Sequence, residues 1–145
     1  MTHRRLVHRT RMPIRWGDMD ALGHVNNAAY FRYFEQARVE WLERTGLGLV
    51  QDGVGAVIVN ASCTYHRALV YPGEIEVAVY AGPPGRSSFE TWYALHRTDA
   101  PEVLCAEGQA RVVWVDHRAG RSVPLPEALR ALLPAPAPDG VPASS

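Results

Sequence analysis

Between residues 26 and 44, apolar side chains recur at helical period. Tyr30, Tyr33/Phe34, Ala37 and Trp41 form one stripe, with Arg32, Glu35, Gln36, Glu40, Glu43 and Arg44 largely off it. That spacing predicts a long amphipathic helix with one buried face. Asn is a preferred N-cap, so Asn26 or Asn27 starts the helix. Thr45-Gly46-Leu47-Gly48 supplies the stop, with Gly46 at the left-handed cap position.

Beyond a loop or short extension at Leu49 to Gly55, the period changes to two. Ala56 to His66 reads as a strand with Val57, Val59, Ala61, Cys63 and Tyr65 on one face, and the helix is expected against that face. Leu69 to Gly73 is a Pro-Gly turn. Glu74 to Ala81 alternates with Ile75, Val77 and Val79 inward, Gly82 to Gly85 breaks the chain, and Ser88 to Arg97 forms the next strand. Val103 to Asp116 is a long strand with Gly108 inside it, where a missing side chain marks a bulge or bend. A turn at Asp116 to Arg121 precedes a short helix at Glu127 to Leu132.

Ahead of the long helix, Met12 to Trp16 reads as a short first strand, with Pro13 suited to an edge or a strand start. The basic stretch Met1 to Arg11 reads as a solvated face or frayed end. From Pro134 the tail is rich in Pro, Ala, Gly and Ser and is expected to be disordered. One strand, a long helix and four strands in a meander imply an α+β class: a single domain over residues 1–133, with an antiparallel sheet wrapped on one helix.

Composition changes this picture little. With 145 residues, 47% of them hydrophobic, the chain can bury a proper core. Its formal net charge is zero, so nothing in bulk electrostatics favours nucleic acid or an anionic membrane. Every basic side chain is Arg, which removes Lys nucleophiles and Schiff bases from consideration. Cys63 and Cys105 read as buried, reduced thiols. No apolar run reaches the length of a membrane span and no signal peptide is visible, so the expected location is the cytoplasm.

The chemistry gathers at Gly17 to Asn27. Asp18 and Asp20 precede a turn at Gly23, followed by His24, Asn26 and Asn27 at the helix start. The first N–H groups of a helix lack partners within it and favour negative charge. A carbonyl oxygen placed there is polarised, and the oxyanion formed on attack is held more tightly than the ground state. Asp20 could serve as general base on a water or attack the carbonyl itself. It could also be only an Asx-turn former for the bend at Gly23. Asp18 reads as a hydrogen-bonding partner of the loop, and His24 as a packed, hydrogen-bonded residue or a second acid/base group. Glu35 reads as structural support, ion-paired to Arg38. There is no G-x-S-x-G elbow and no H-x-x-x-H pair, so serine-hydrolase and zinc-hydrolase chemistry have no sequence support. A second candidate is Arg86-Ser87-Ser88, where a turn offers a guanidinium and two hydroxyls to phosphate.

The run GDMDALGHVNNAAYFRYFEQAR resembles the signature of hotdog-fold thioesterases of the 4-hydroxybenzoyl-CoA thioesterase type, in the branch with D-x-D-x-x-G-H-V-N-N-x-x-Y. The resemblance spans roughly Arg11 to Leu133. It implies a hotdog fold and hydrolysis of an acyl-CoA to free acid and coenzyme A, with no metal and no cofactor beyond coenzyme A as part of the substrate. It places the catalytic carboxylate on Asp20 and the oxyanion N–H on Asn27, with Gly23, His24, Asn26 and Tyr30 around the substrate. It also implies a homodimer or homotetramer with sites at subunit interfaces, and coenzyme A phosphates held just before a strand, where this chain has Arg86, Ser87 and Ser88. Two other readings remain: a hotdog hydratase or dehydratase using Asp20 and His24, and a non-catalytic acyl-CoA-binding protein. The spacing of that Asp and His departs from the usual hydratase pattern.

Overall fold

The computed structural model describes residues 3–136. Seven strands form one antiparallel sheet: β1 (Arg5–Pro13), β2 (Val50–Gln51), β3 (Val54–Tyr65), β4 (Glu74–Ala81), β5 (Ser88–Arg97), β6 (Ala106–Asp116) and β7 (Arg121–Ser122). Their order across the sheet is β1-β4-β5-β6-β3-β2, with β7 added on β6. The sheet wraps around α1 (Asn27–Arg44), and the short α2 (Glu127–Arg130) follows the last strand. This is the α+β hotdog architecture.

The helical stripe does what its spacing requires. Tyr30, Tyr33, Phe34, Ala37, Trp41 and Leu42 are all buried, against Ile75, Val77, Val79, Phe89 and Leu95 of the sheet's inner face. Burial of such side chains contributes about 1.5–3 kcal/mol each. Gly46 adopts φ +84 just past the helix, as a left-handed cap requires.

Phe34 fixes where α1 sits. Its ring stacks on Tyr93 at 5.0 Å between centroids and lies over Gly108. A Cβ at Gly108 would stand 2.5 Å from Phe34 Cε2. The ladder runs in register through Gly108 on both sides, so this glycine is the seat of a ring rather than a bulge.

Beneath that ring, Arg38 Nη1 donates to Tyr93 Oη at 2.9 Å, and Thr91 Oγ1 donates to the Ala110 carbonyl at 2.9 Å. Tyr93 must therefore be the donor in its 2.7 Å contact with Thr91 Oγ1. Every hydroxyl of this buried chain is satisfied, so it adds specificity without an unpaired polar group.

Four expectations need correction. The bulge lies in β3, where Val59 is the extra residue between Ile58 and Asn60. It reverses the facing of the strand. Ala56 and Ile58 pack inward before it and Cys63 after it, while Val59 is 56% exposed. The expected inner face therefore fails at Val57 and Val59 and holds at Cys63 and Tyr65. Over its described residues the basic N-terminal stretch is a solvated face, as one reading had it, and not a frayed end. It is edge strand β1, with His8, Thr10 and Met12 turned in and Arg9 and Arg11 out, so its charges mark one face of an alternating strand. The last strand begins at Ala106 rather than Val103. At the other end, Pro134, where the expected disordered tail begins, is buried, and the tail from residue 137 lies outside the described residues.

Glu76 of β4 ties β1 to the sheet, accepting from Arg9 Nη1 at 3.1 Å and Arg11 Nε at 3.2 Å, with His96 Nε2 at 3.4 Å. Partial burial would raise its carboxyl, but the bonds from Arg11 and Arg9 outweigh that and hold it below the usual 4.5. A carboxyl depressed by folding stabilises above its unfolded value and loses that contribution as pH falls through its folded value. Glu76→Gln should therefore cost on the order of 1 kcal/mol at pH 7. Denaturant midpoints of parent and variant should converge as the pH is lowered through that depressed value. A gap that persists at low pH would remove the charge from this account.

Candidate active site

The loop before α1 is built by its own hydrogen bonds. A 3-10 turn at Trp16–Asp18 leads to a bridge between Met19 and Val25. Across the enclosed turn, the Asp20 N–H donates to the His24 carbonyl and the Gly23 N–H to the Asp20 carbonyl. Gly23 sits at φ +84, a region that side chains disfavour, which is why glycine stands there.

The two carboxylates have separate tasks. Asp18 Oδ2 accepts from the buried Tyr33 hydroxyl at 2.7 Å and from the Arg15 N–H at 2.9 Å. Burial and then this hydrogen bond to Asp18 push the Tyr33 phenol well above its usual range, so it stays a donor. Asp18 thus anchors the loop to the helix. Asp20 Oδ1 accepts from the Leu22 N–H at 2.9 Å, and its Oδ2 accepts from Asn26 Nδ2 at 3.0 Å. Asn26 Oδ1 in turn accepts from the Ala28 N–H at 2.9 Å, making Asn26 the N-cap. Asp20 is therefore an Asx-turn former and is also wired through one amide side chain to the helix start. No hydrogen bond joins Asp18 to Asp20 among the described residues.

That wiring leaves Asn27 free. Its N–H finds no acceptor among the described residues, while its carbonyl accepts from Tyr65 Oη at 2.9 Å. Burial, then the neighbouring Cys63, pushes the Tyr65 phenol up to about 12, so the hydroxyl remains a donor to that carbonyl. Tyr65 packs edge-on against Tyr30 at 4.8 Å between centroids, and Tyr30, only 3% exposed, is likewise raised by burial.

A cleft of about 210 Å³ opens here, lined by His24, Val25, Asn27, Tyr30, Tyr65, His66, Arg67 and Ala68. Of the expected residues it gathers His24, Asn27 and Tyr30. Asp20, Gly23 and Asn26 belong to the adjoining loop and do not line it within one chain. His24 is exposed, and its imidazole makes no hydrogen bond among the described residues, so it is not the packed group expected. Glu35 is exposed and forms no ion pair with Arg38, which turns to Tyr93 instead.

Arg86, Ser87 and Ser88 stand elsewhere. Ser88 opens β5 opposite Val113, whereas Leu95 and Tyr65 both pair with Ala106, near the cleft. The ordinary strand rise puts Ser88 about 24 Å from Leu95. Ser88 is 1% exposed with its hydroxyl buried. The carbonyls of Gly85 and Arg86 are taken by Arg130 Nη2. Arg86 alone is exposed, with its guanidinium 3.5 Å from Ser122 Oγ.

Tyr65, His66 and Arg67 are functional candidates that the sequence did not single out. His66 Nε2 lies 2.8 Å from Glu107 Oε2, a partner far away in the chain. No three His, Cys, Asp or Glu side chains come together as a metal site among the described residues. Nor is any helix among them long and apolar enough to cross a membrane.

Several known proteins share this fold. The PA2801 protein of Pseudomonas aeruginosa superposes with a TM-score of 0.84 at 42% identity, covering 88% of this chain and 98% of its own. A thioesterase of Thermus thermophilus, solved with coenzyme A and Zn, matches at TM-score 0.73 and 30% identity, covering 88% and 92%. The 1,4-dihydroxy-2-naphthoyl-CoA thioesterase Slr0204 of Synechocystis shares the fold, at TM-score 0.80 and 18% identity over 87% and 94%. Residues 14–133 match the thioesterase-like superfamily, so the chain belongs to that superfamily and is a thioester hydrolase.

Proposed function

We propose that this chain hydrolyses an acyl-CoA to free acid and coenzyme A in the cleft before α1. The reading rests above all on Asn27: an unpaired helix-start N–H lining a cleft, next to a carboxylate loop. The thioester oxygen would accept from that N–H, where the helix dipole favours the charge that develops on attack. Asp20 acts as general base on the attacking water, or as the nucleophile. The chemistry so written uses no metal and no diffusible cofactor. Coenzyme A as the carrier draws support from the Thermus thermophilus thioesterase solved with it. A chain with free thiols acting on such esters fits the cytoplasm.

Two observations favour a homodimer or homotetramer. The outer edge of β3 beyond Gly55 has no strand partner among the described residues, and Val59 on it is exposed. Arg86 also precedes the end of β5 opposite the one that borders the cleft, and does not line the cleft within one chain. Pairing two copies would cover that edge, and would let a second chain supply the phosphate contacts.

A thiol-release assay over a panel of acyl-CoAs tests the chemistry. The parent should turn over at least one member, and Asp20→Asn should lose at least ~10²-fold, the scale of removing a general base. Equal rates would unseat Asp20. Asn26→Asp tests the wiring, because Asp caps a helix as well as Asn but cannot donate to Asp20. It should keep the parent's melting temperature within a few degrees and lose on the order of tenfold or more in kcat, as misplaced reacting groups do. Full activity in that variant would mean the Asn26 contact does not orient Asp20. Sedimentation should give the mass of two or four chains, and a single-chain mass would sink the shared-site arrangement.

A further inference from the structure

We propose that His66, oriented by Glu107, is a second acid–base residue of this cleft and protonates the sulfur as it leaves, an assignment that rests on the hydrolase reading above. His66 follows directly on Tyr65, where β3 ends. The N–H groups of His66 and Arg67 both donate to the Cys105 carbonyl, at 2.8 and 3.0 Å, which fixes the bend that brings His66 to the cleft. Nε2 is held 2.8 Å from Glu107 Oε2, Nδ1 makes no hydrogen bond among the described residues, and His66 is one of the residues that line the cleft. A carboxylate on one ring nitrogen sets which nitrogen carries the proton and how the ring is turned. An acid–base group oriented by a third side chain is a recurrent arrangement in catalysis. The other histidine of the cleft, His24, has no such partner.

The hydrolysis has two proton transfers, and the carboxylate loop accounts for only one. Water oxygen bonds to the carbonyl carbon while its proton passes to Asp20. The C–S bond then breaks with its electron pair on sulfur, and sulfur takes the proton from the His66 imidazolium. Solvent removes the proton from Asp20 and returns one to His66, leaving acid, thiol and unchanged enzyme. The second transfer runs downhill, because an ordinary thiol binds a proton about 100-fold more tightly than an ordinary imidazole.

Leaving-group dependence tests this step. His66 and Glu107 are 39% and 54% exposed, so substitutions there spare the core. On an alkyl thioester such as an acyl-CoA, His66→Gln should lower kcat at least ~10²-fold, with Glu107→Gln moving the same way by less. On the thiophenyl ester of the same acid, whose sulfur leaves without a proton, both variants should stay within about threefold of the parent. Asp20→Asn, which acts on attack, should slow both esters alike. Equal losses on both esters in His66→Gln, or no loss on either, would overturn the assignment while the hydrolase reading stood. A parent inert toward every thioester would remove the hydrolase reading and this assignment together.

Discussion

A helix cannot satisfy its own first amide groups, and the site depends on how this chain distributes that deficit. Asn26 takes the Ala28 N–H with its side-chain oxygen and spends its side-chain NH₂ on Asp20. Its own N–H goes back to the Asp18 carbonyl. One asparagine thereby caps the helix, holds the carboxylate and closes the loop. The Asn27 N–H is what remains, and it faces no competing acceptor of the described chain. An anion site made this way, as proposed for the thioester oxygen, would need no cationic side chain.

The deficit is useful only if the helix end is held still. Packing deeper in α1 does that. Phe34 is wedged between Tyr93 and the bare backbone of Gly108, so α1 can neither slide nor roll without a clash. Nearer the start, Tyr33 pins Asp18 and Tyr65 pins the Asn27 carbonyl. Both phenols are hydroxyl donors, and each fixes one side of the loop–helix junction. Three aromatic side chains on two elements thus convert core packing into placement of a single amide.

Much of this was legible in residue order. The stripe Tyr30, Phe34, Ala37, Trp41 gave the helix and its buried face, and the Asn26–Asn27 pair and Gly46 gave its ends, because caps and periodicity are local physics. β4 and β5 were equally plain, since strict alternation needs no knowledge of a neighbour. Expectations failed where the deciding partner lay far off. Val59 is an ordinary strand residue until β6 leaves it unpaired. The arginines of β1 look like a solvated run until Glu76 is placed beneath them. Arg38 abandons Glu35 for a tyrosine 55 positions away. The His66–Glu107 contact is invisible for the same reason, as its partners meet only when β3 and β6 pair.

The two aspartates show why sequence could name the pair but not divide the work. Both sit in one loop, and both accept two hydrogen bonds. Asp18 receives both donors on one oxygen, one of them from a buried phenol, and is committed to the junction. Asp20 receives one donor on each oxygen, and both come from its own exposed loop. An ionised carboxylate offers about four lone-pair sites, so each aspartate keeps two, and those of Asp20 belong to the loop that adjoins the cleft. A carboxylate with no fixed donors would swing through many rotamers, and one with every lone pair taken would have nothing left to accept with. Asp20 lies between those limits, and that intermediate state of satisfaction is what the proposed proton transfer at this carboxylate requires.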